Sequence, residues 1–492
     1  MGLSSCPHTI PLGTHGVGHG VGHGHGHGAG AAPAPATHPE EPTLTDWARD
    51  AVFYHIYPLG LCGAPARNDF GAAPVERLDR LIPWLGHIGE LGATALYLGP
   101  LFESTAHGYD TADYWHLDRR LGTDETLRRV VQAAHDAGLR VILDGVFNHV
   151  GRDFWAFRDV QAHGEGSAYR DWFAGLRFDG RSPYGDPFSY EGWHGHFDLV
   201  KLNLANPDVR GHLFGAVESW IRDFGIDGLR LDAADVVDLG FQRDLAAWCR
   251  SLKADFWLIG EVVHGDYRRW ANPETIDSVT NYEAYKGLYS SLADHNYFEI
   301  AYALNRQFGP TGMYKGLPLY NFVDNHDQDR VVEHLPQSRL LYPLYVMLLT
   351  MPGVPSIYYG SEWGLAGKRN RGDDSPVRPA LQWADGPRLG AEPDLAAAIQ
   401  RLAGVRAESA ALRRGDYTQL HVAAEQMAFK RELDGEVVVV LLNAADKPVE
   451  MTVPVYRQGA WQDLLDGGTV EAAGGSLRTL VPTSWGRVLR AS

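Results

Sequence analysis

From Trp47 onward, short apolar runs alternate with amphipathic stretches along most of the chain. Eight runs stand out: AVFYHIYPL from Ala51, ATALYLGPL from Ala93, RVILDGVFN from Arg140, DGLRLDAA from Asp227, FWLIGEVV from Phe256, DSVTNY from Asp277, LYNFVDNHD from Leu319 and GVPSIYYG from Gly353. Most are separated by helical patterns such as TDETLRRVVQAAHDAGL, which opens on a Thr/Asp capping signal and ends near Gly138. Eight strand candidates alternating with helices predict an α/β fold, a (β/α)8 TIM barrel. The alternation lapses between His149 and about Arg210, where the chain turns aromatic and glycine-rich. An excursion of that length after the third strand predicts a small insertion subdomain, about 150–207, rather than a loop. Beyond about Gly415 the pattern becomes strands and turns with an Asp-Gly hairpin signal, predicting a C-terminal β-sandwich. The expected division is a tail at 1–46, a barrel with its insertion at 47–410, and the sandwich at 411–492.

Composition narrows the partners. The 492 residues are 45% hydrophobic, enough for a large core, and carry a formal charge of −17, which disfavours nucleic acid or an anionic membrane surface and suits a neutral ligand. Cys6, Cys62 and Cys249 are odd in number and widely spaced, so no disulfide framework is expected. The N-terminal segment has no basic residue before Arg49 and no apolar stretch of the secretory type, and Cys6 stands where a myristoylation signal needs Ser or Thr. No run of 18 apolar residues predicts a bilayer span. A cytoplasmic location is expected. The His/Gly/Pro-rich tail cannot bury a core and is expected to be disordered; its His15, His19, His23, His25 and His27 offer at most adventitious metal binding.

The candidate chemistry lies at the ends of the strand runs. Arg230 and Asp232 stand two apart in an apolar segment, which on a strand points both side chains to one face. In a barrel of this kind, active sites sit at the C-terminal strand ends. Four runs end in polar groups there: Asp144, Asn148 and His149; Arg230 and Asp232; Glu261; and Asn325, His326 and Asp327. Singly, each is also explained by a buried salt bridge or a satisfied core polar group. Together they converge on one end of the barrel.

DGVFNH, GLRLDAAD, IGEVV and FVDNHD, in that order, resemble the α-amylase family of retaining glycoside hydrolases, over nearly the whole chain from about Trp47. HGYDTADYWHLDRRLGT, GRDFWAFRDV and LVKLNLANPDV are similar to the cyclomaltodextrinase and neopullulanase branch, although that branch's β-rich N-terminal domain has no counterpart here. Retaining glycosidases set an ionised nucleophile about 5–5.5 Å from a protonated leaving-group acid. On that pattern Asp232 is the expected nucleophile, held ionised by Arg230, and Glu261 the acid, kept neutral by desolvation. The resemblance implies that Asp327 grips the distorted sugar and that Tyr109 stacks on it. It also implies that His149 and His326 bind its hydroxyls, and that Asp374 and Arg378 of DDSPVR bind the next sugar outward. Asp144 is expected to support Arg230. Trp155, Phe157, Trp172 and Trp193 of the insertion fit either sugar subsites or subdomain packing.

The family's calcium asparagine matches Asn148, but its aspartate ligand is Asn203 here, so no metal and no other cofactor is expected. The expected activity is hydrolysis of α-1,4-linked glucans, maltooligosaccharides or cyclodextrins. The alternatives are transglycosylation or disaccharide isomerisation on the same fold, and a catalytically dead carbohydrate-binding protein. The oligomeric state is left open.

Overall fold

A computed structural model describes residues 46–492; the tail expected at 1–46, its histidines and Cys6 lie, Asp46 apart, outside the described residues. The eight apolar runs form eight parallel strands: β1 Phe53–Ile56, β2 Ala95–Leu98, β3 Arg140–Gly145, β4 Gly228–Leu231, β5 Trp257–Gly260, β6 Ser278–Val279, β7 Tyr320–Asn321 and β8 Val354–Tyr358. Strand neighbours follow chain order from β1 to β6, with β8 pairing both β1 and β7. A parallel bridge between Thr280 and Tyr320 closes the ring. The expected (β/α)8 barrel is the fold.

Inside the barrel, Phe53, Ala95, Tyr97, Ile142, Trp257, Ile259, Tyr320 and Val354 pack as one apolar cluster. Alternate residues such as Leu96, Leu143, Leu229 and Leu258 instead join the larger core under the helices. The two-residue period therefore sorts side chains between the barrel lumen and the helical shell. Gly228 shows how tightly the lumen is filled: a Cβ there would lie 2.3 Å from Trp257 O and 2.9 Å from Ile142 Cγ2. Helix Asp124–Asp136 is capped by Thr123, as its sequence signal requires, and buries Leu127, Val130, Val131 and Ala134 on one face.

The insertion after β3 contains helix Trp155–His163 and a three-stranded antiparallel sheet of His149–Gly151, His196–Lys201 and Gly192–Trp193. Beyond the barrel, eight strands form one antiparallel sheet that wraps around its own apolar face. They are β9 Asp416–Val422, β10 Gln426–Leu433, β11 Glu436–Asn443, β12 Val449–Pro454, β13 Gly459–Asp463, β14 Thr469–Ala473, β15 Ser476–Val481 and β16 Trp485–Ala491. The continuous apolar run in β11 follows from burial on both sides. Val439 and Leu441 face the sandwich core with Trp461 and Leu477, while Val438, Val440 and Leu442 pack with the core beneath barrel helix Leu341–Thr350. No helix among the described residues is long and apolar enough to cross a membrane.

Candidate active site

Strand parity builds the site. On β4, Gly228, Arg230 and then Asp232 follow one another inward, with Leu229 and Leu231 facing the helices. Ladder register sets Asp144 beside Arg230, and Leu231 beside Gly260, so Asp232 and Glu261 leave their strands at the same level. Apolar layers beneath hold the strands in that register, and the charged side chains of the site gather toward the C-terminal strand ends.

Arg230, 4% exposed, is the hub. Its Nη1 donates to Asp232 Oδ1 at 2.8 Å and to Asp144 Oδ1 at 3.0 Å, and its Nη2 lies 3.1 Å from Glu261 Oε2. Asp144 accepts further hydrogen bonds from the hydroxyls of Tyr97 at 2.7 Å and Tyr109 at 2.9 Å. Glu261 Oε2 also accepts the Ala233 N–H at 2.9 Å. Ala233 has φ of 48°, the left-handed region, which costs a non-glycine residue energy and is retained where surrounding contacts enforce it. Both anchored oxygens have a free partner on the same carboxyl: Asp232 Oδ2 and Glu261 Oε1.

A second cluster flanks the first. Tyr109 Oη lies 2.5 Å from His326 Nε2, which is 3.1 Å from Asp327 Oδ2. Arg378 donates from Nη2 to Asp327 Oδ1 and to Asp374 Oδ2, both at 3.0 Å, and from Nε to the His326 carbonyl at 2.9 Å. Its guanidinium covers the Tyr57 ring at 4.7 Å. The Asp374–Arg378 pair is thus no exposed surface bridge, since the Arg378 side chain is 11% exposed and tied to Asp327. His149 Nε2 is buried without a hydrogen-bond partner, 3.8 Å from Asp232 Oδ2; His326 Nδ1 is buried and unpartnered as well.

Charge in the cluster departs from the sequence expectation. Burial raises the Asp232 carboxyl well above the usual aspartate range; Arg230 pulls it down, while Glu261, Asp144 and Asp327 push it up further. The Arg230 contact exists, but one positive charge is divided among three carboxylates, so it does not hold Asp232 low. Asp327 is the carboxyl driven far below its usual range: burial opposes ionisation, but His326, Arg378 and Arg230 outweigh it. Burial, assisted by His107, lowers His149 to about 3, so its imidazole is neutral.

All nine expected site residues, Tyr109, His149, Arg230, Asp232, Glu261, His326, Asp327, Asp374 and Arg378, gather at this end of the barrel. Of the insertion aromatics, Phe157 packs against Phe173, Phe188 and Tyr190, and Trp155 and Trp172 pack around His212; only Trp193 approaches the site, 5.8 Å from the His149 ring. Tyr97, Ala233 and Arg369, which donates to Asp374 at 2.7 Å, were missed by the sequence reasoning. Tyr97 carried a signal, since it shares the inward parity of Ala95 on β2. At the position of the family's calcium aspartate, Asn203 donates its amide to the Asp171 carbonyl and its Oδ1 accepts the Ala205 N–H. Among the described residues no group of three His, Cys, Asp or Glu side chains is arranged to hold a metal.

Comparison with known proteins matches residues 77–387 to the alpha amylase catalytic domain and 417–485 to the maltogenic amylase C-terminal domain. A cyclomaltodextrinase from Geobacillus thermopakistaniensis is 32% identical over 460 residues, covering 89% of this chain and 76% of that protein. Neopullulanase 2 from Thermoactinomyces vulgaris is 33% identical over 472 residues, covering 91% and 78%. A solved cyclomaltodextrinase structure superposes with a TM-score of 0.79 at 29% identity, covering 90% of this chain and 78% of that one.

Proposed function

Because the chain belongs to the α-amylase family of glycoside hydrolases, we propose that it cleaves α-1,4-glucosidic bonds in maltooligosaccharides, cyclodextrins and related glucans, with retention at the anomeric carbon. The observation that carries this reading is the single Arg230 guanidinium engaging Asp232 and Glu261 at 2.8 and 3.1 Å. A guanidinium fork holds its acceptors side by side. Such a pair suits the closer of the two glycosidase spacings, about 5–5.5 Å, rather than the wider one that admits a water.

The roles follow from which oxygens are committed. Asp232, anchored through Oδ1, attacks the anomeric carbon with Oδ2, next to the neutral His149 ring. Glu261, anchored through Oε2, carries its proton on Oε1 and gives it to the departing glycosidic oxygen; a water then loses its proton to Glu261 as it releases the sugar. In the reactive state Asp232 is ionised and Glu261 carries the proton it donates. Asp327, kept ionised by His326 and Arg378, accepts hydrogen bonds from sugar hydroxyls, while His149 and His326 use their unpaired nitrogens on the same ring. Tyr109 stacks on that sugar, and the Asp374–Arg378 pair binds the next one. No metal enters these steps, and the free, buried Cys62 and Cys249 agree with a reducing compartment such as the cytoplasm.

Product analysis on maltotriose, β-cyclodextrin, pullulan, starch, sucrose and trehalose, with the first-formed anomer followed by NMR, tests the proposal. Hydrolysis of the α-1,4 substrates to an α-anomer is expected. Action confined to sucrose or trehalose, or a β-anomer formed first, would overturn it.

A further inference from the structure

At the end of the barrel opposite the carboxylates, a cavity of about 220 Å3 lies between the segments leading into β7 and β8 and the start of the C-terminal sheet. Five cationic side chains line it, Arg49, Lys315, Arg413, Arg414 and Arg431, against one carboxylate, Asp416. At the mouth the charges are partly answered: Lys315 meets Asp416 at 3.3 Å, Arg413 and Arg414 share Asp50 at 3.2 and 2.7 Å, and Arg49 pairs with Asp46. At the floor they are not.

Arg431 and the adjacent Arg406 are each 1% exposed, and among the described residues neither has a carboxylate within ion-pairing distance. Their terminal nitrogens donate only to backbone carbonyls, Arg431 to Thr350, Leu412 and Gly415, and Arg406 to Leu349, Leu412 and Gly353. Both Nε atoms are buried without an acceptor. The hydroxyl of Tyr417, which lines the same cavity and is 2% exposed, is also buried and unpartnered. Burial, and each guanidinium's repulsion of the other or of a neighbouring arginine, lower both arginines to about 9. A chain with a net charge of −17 has thus buried two neighbouring cations with, among the described residues, no carboxylate in ion-pairing distance of either. Uncompensated buried charge is costly, and a bound anion removes that cost.

We propose that this cavity binds a phosphate-class oxyanion, either free phosphate or the phosphate ester of a small sugar, and that the anion fastens the C-terminal domain to the base of the barrel. The chemistry is specific in kind. Tyr417, Arg431 and the mouth cations supply donors in excess of acceptors, which suits a tetrahedral anion with several acceptor oxygens better than a neutral sugar, whose hydroxyls need both. Occupancy links four separated segments: the stretch around Arg49, the Lys315–Pro318 turn, the Pro352–Val354 turn, and the Arg413–Tyr417 entry to β9. It leaves the catalytic carboxylates untouched.

The test is isothermal titration of the full chain with inorganic phosphate and, separately, glucose 1-phosphate, beside thermal melts in which sodium chloride matches the ionic strength. Saturable one-to-one binding and a raised melting temperature are expected. Tyr417→Phe and Arg414→Gln should each weaken binding about tenfold, the loss of one charge-assisted hydrogen bond. Neither variant should change kcat on maltotriose. Tighter binding of the ester than of phosphate would identify a sugar phosphate as the ligand, and equal or weaker binding would identify the free anion. The proposal fails if chloride gives the same stabilisation, if neither titration saturates, or if both variants bind like the parent.

Discussion

Replacing Asp232 by asparagine should abolish turnover and make the protein more stable. In the folded protein the Asp232 carboxyl lies above its ordinary 3.8 because burial and three nearby carboxylates outweigh Arg230. A carboxyl raised by folding contributes stability below its unfolded value, and that contribution is lost as pH rises through the folded value. As pH rises, the native state therefore bears the cost of ionising a buried carboxyl crowded by three others. The substituted amide would keep an oxygen facing Arg230 Nη1 while removing the repulsion. Arg230 would not be stranded, because Asp144 and Glu261 remain beside it at 3.0 and 3.1 Å. A stabilisation, read as a raised melting temperature, is expected at pH 7. The gain should shrink as the pH falls toward 3.8, where the parent aspartate is also protonated. Calorimetric melts across that range, beside turnover on maltotriose, read both effects. If the pair with Arg230 were a structural strut, the variant would instead lose about 3–5 kcal/mol, the cost of breaking a buried ion pair. That loss, or a folded variant with near-normal turnover, would refute the electrostatic account of the site.

Three further outcomes follow from the same geometry. Glu261→Gln should remain folded, because Gln can still accept from Ala233 N–H and Arg230, but should lose about 10²–10⁴-fold in turnover on unactivated substrates; with an activated aryl α-glucoside, azide should restore turnover and yield the α-glycosyl azide, and absence of rescue in a folded variant would count against the assignment. The acidic limb of kcat/KM should fall above pH 3.8, since the nucleophile must be ionised and its value is raised in the free enzyme; a limb at or below that pH would contradict the crowding of carboxylates around Arg230. Exhaustive dialysis against EDTA should leave activity and melting temperature unchanged, because Asn203 commits both ends of its amide to neighbouring backbone; loss of activity restored by a stoichiometric calcium ion would show that the site is completed by other ligands.

The amino-acid sequence by itself determined the eight barrel strands, their order and the inward parity of Arg230, Asp232 and Glu261, because the two-residue period of a strand and the polar strand ends are local properties. It also made Asp374 and Arg378 recognisable as a pair, through their motif. Only the tertiary structure decided how charge is shared among them. Arg230 divides itself among Asp144, Asp232 and Glu261, which come from three strands, and Arg378 reaches across to Asp327 from a loop 51 residues on. Whether an arginine lowers its neighbour's carboxyl depends on how many other carboxylates stand within a few ångströms, and no sequence spacing reports that count. The same holds for the Ala233 N–H on Glu261, which needs a left-handed residue in an ordinary Asp-Ala-Ala stretch, and for the paired buried guanidiniums of Arg406 and Arg431. Periodicity is written along the chain; Coulomb interactions depend on distances between segments that only folding brings together.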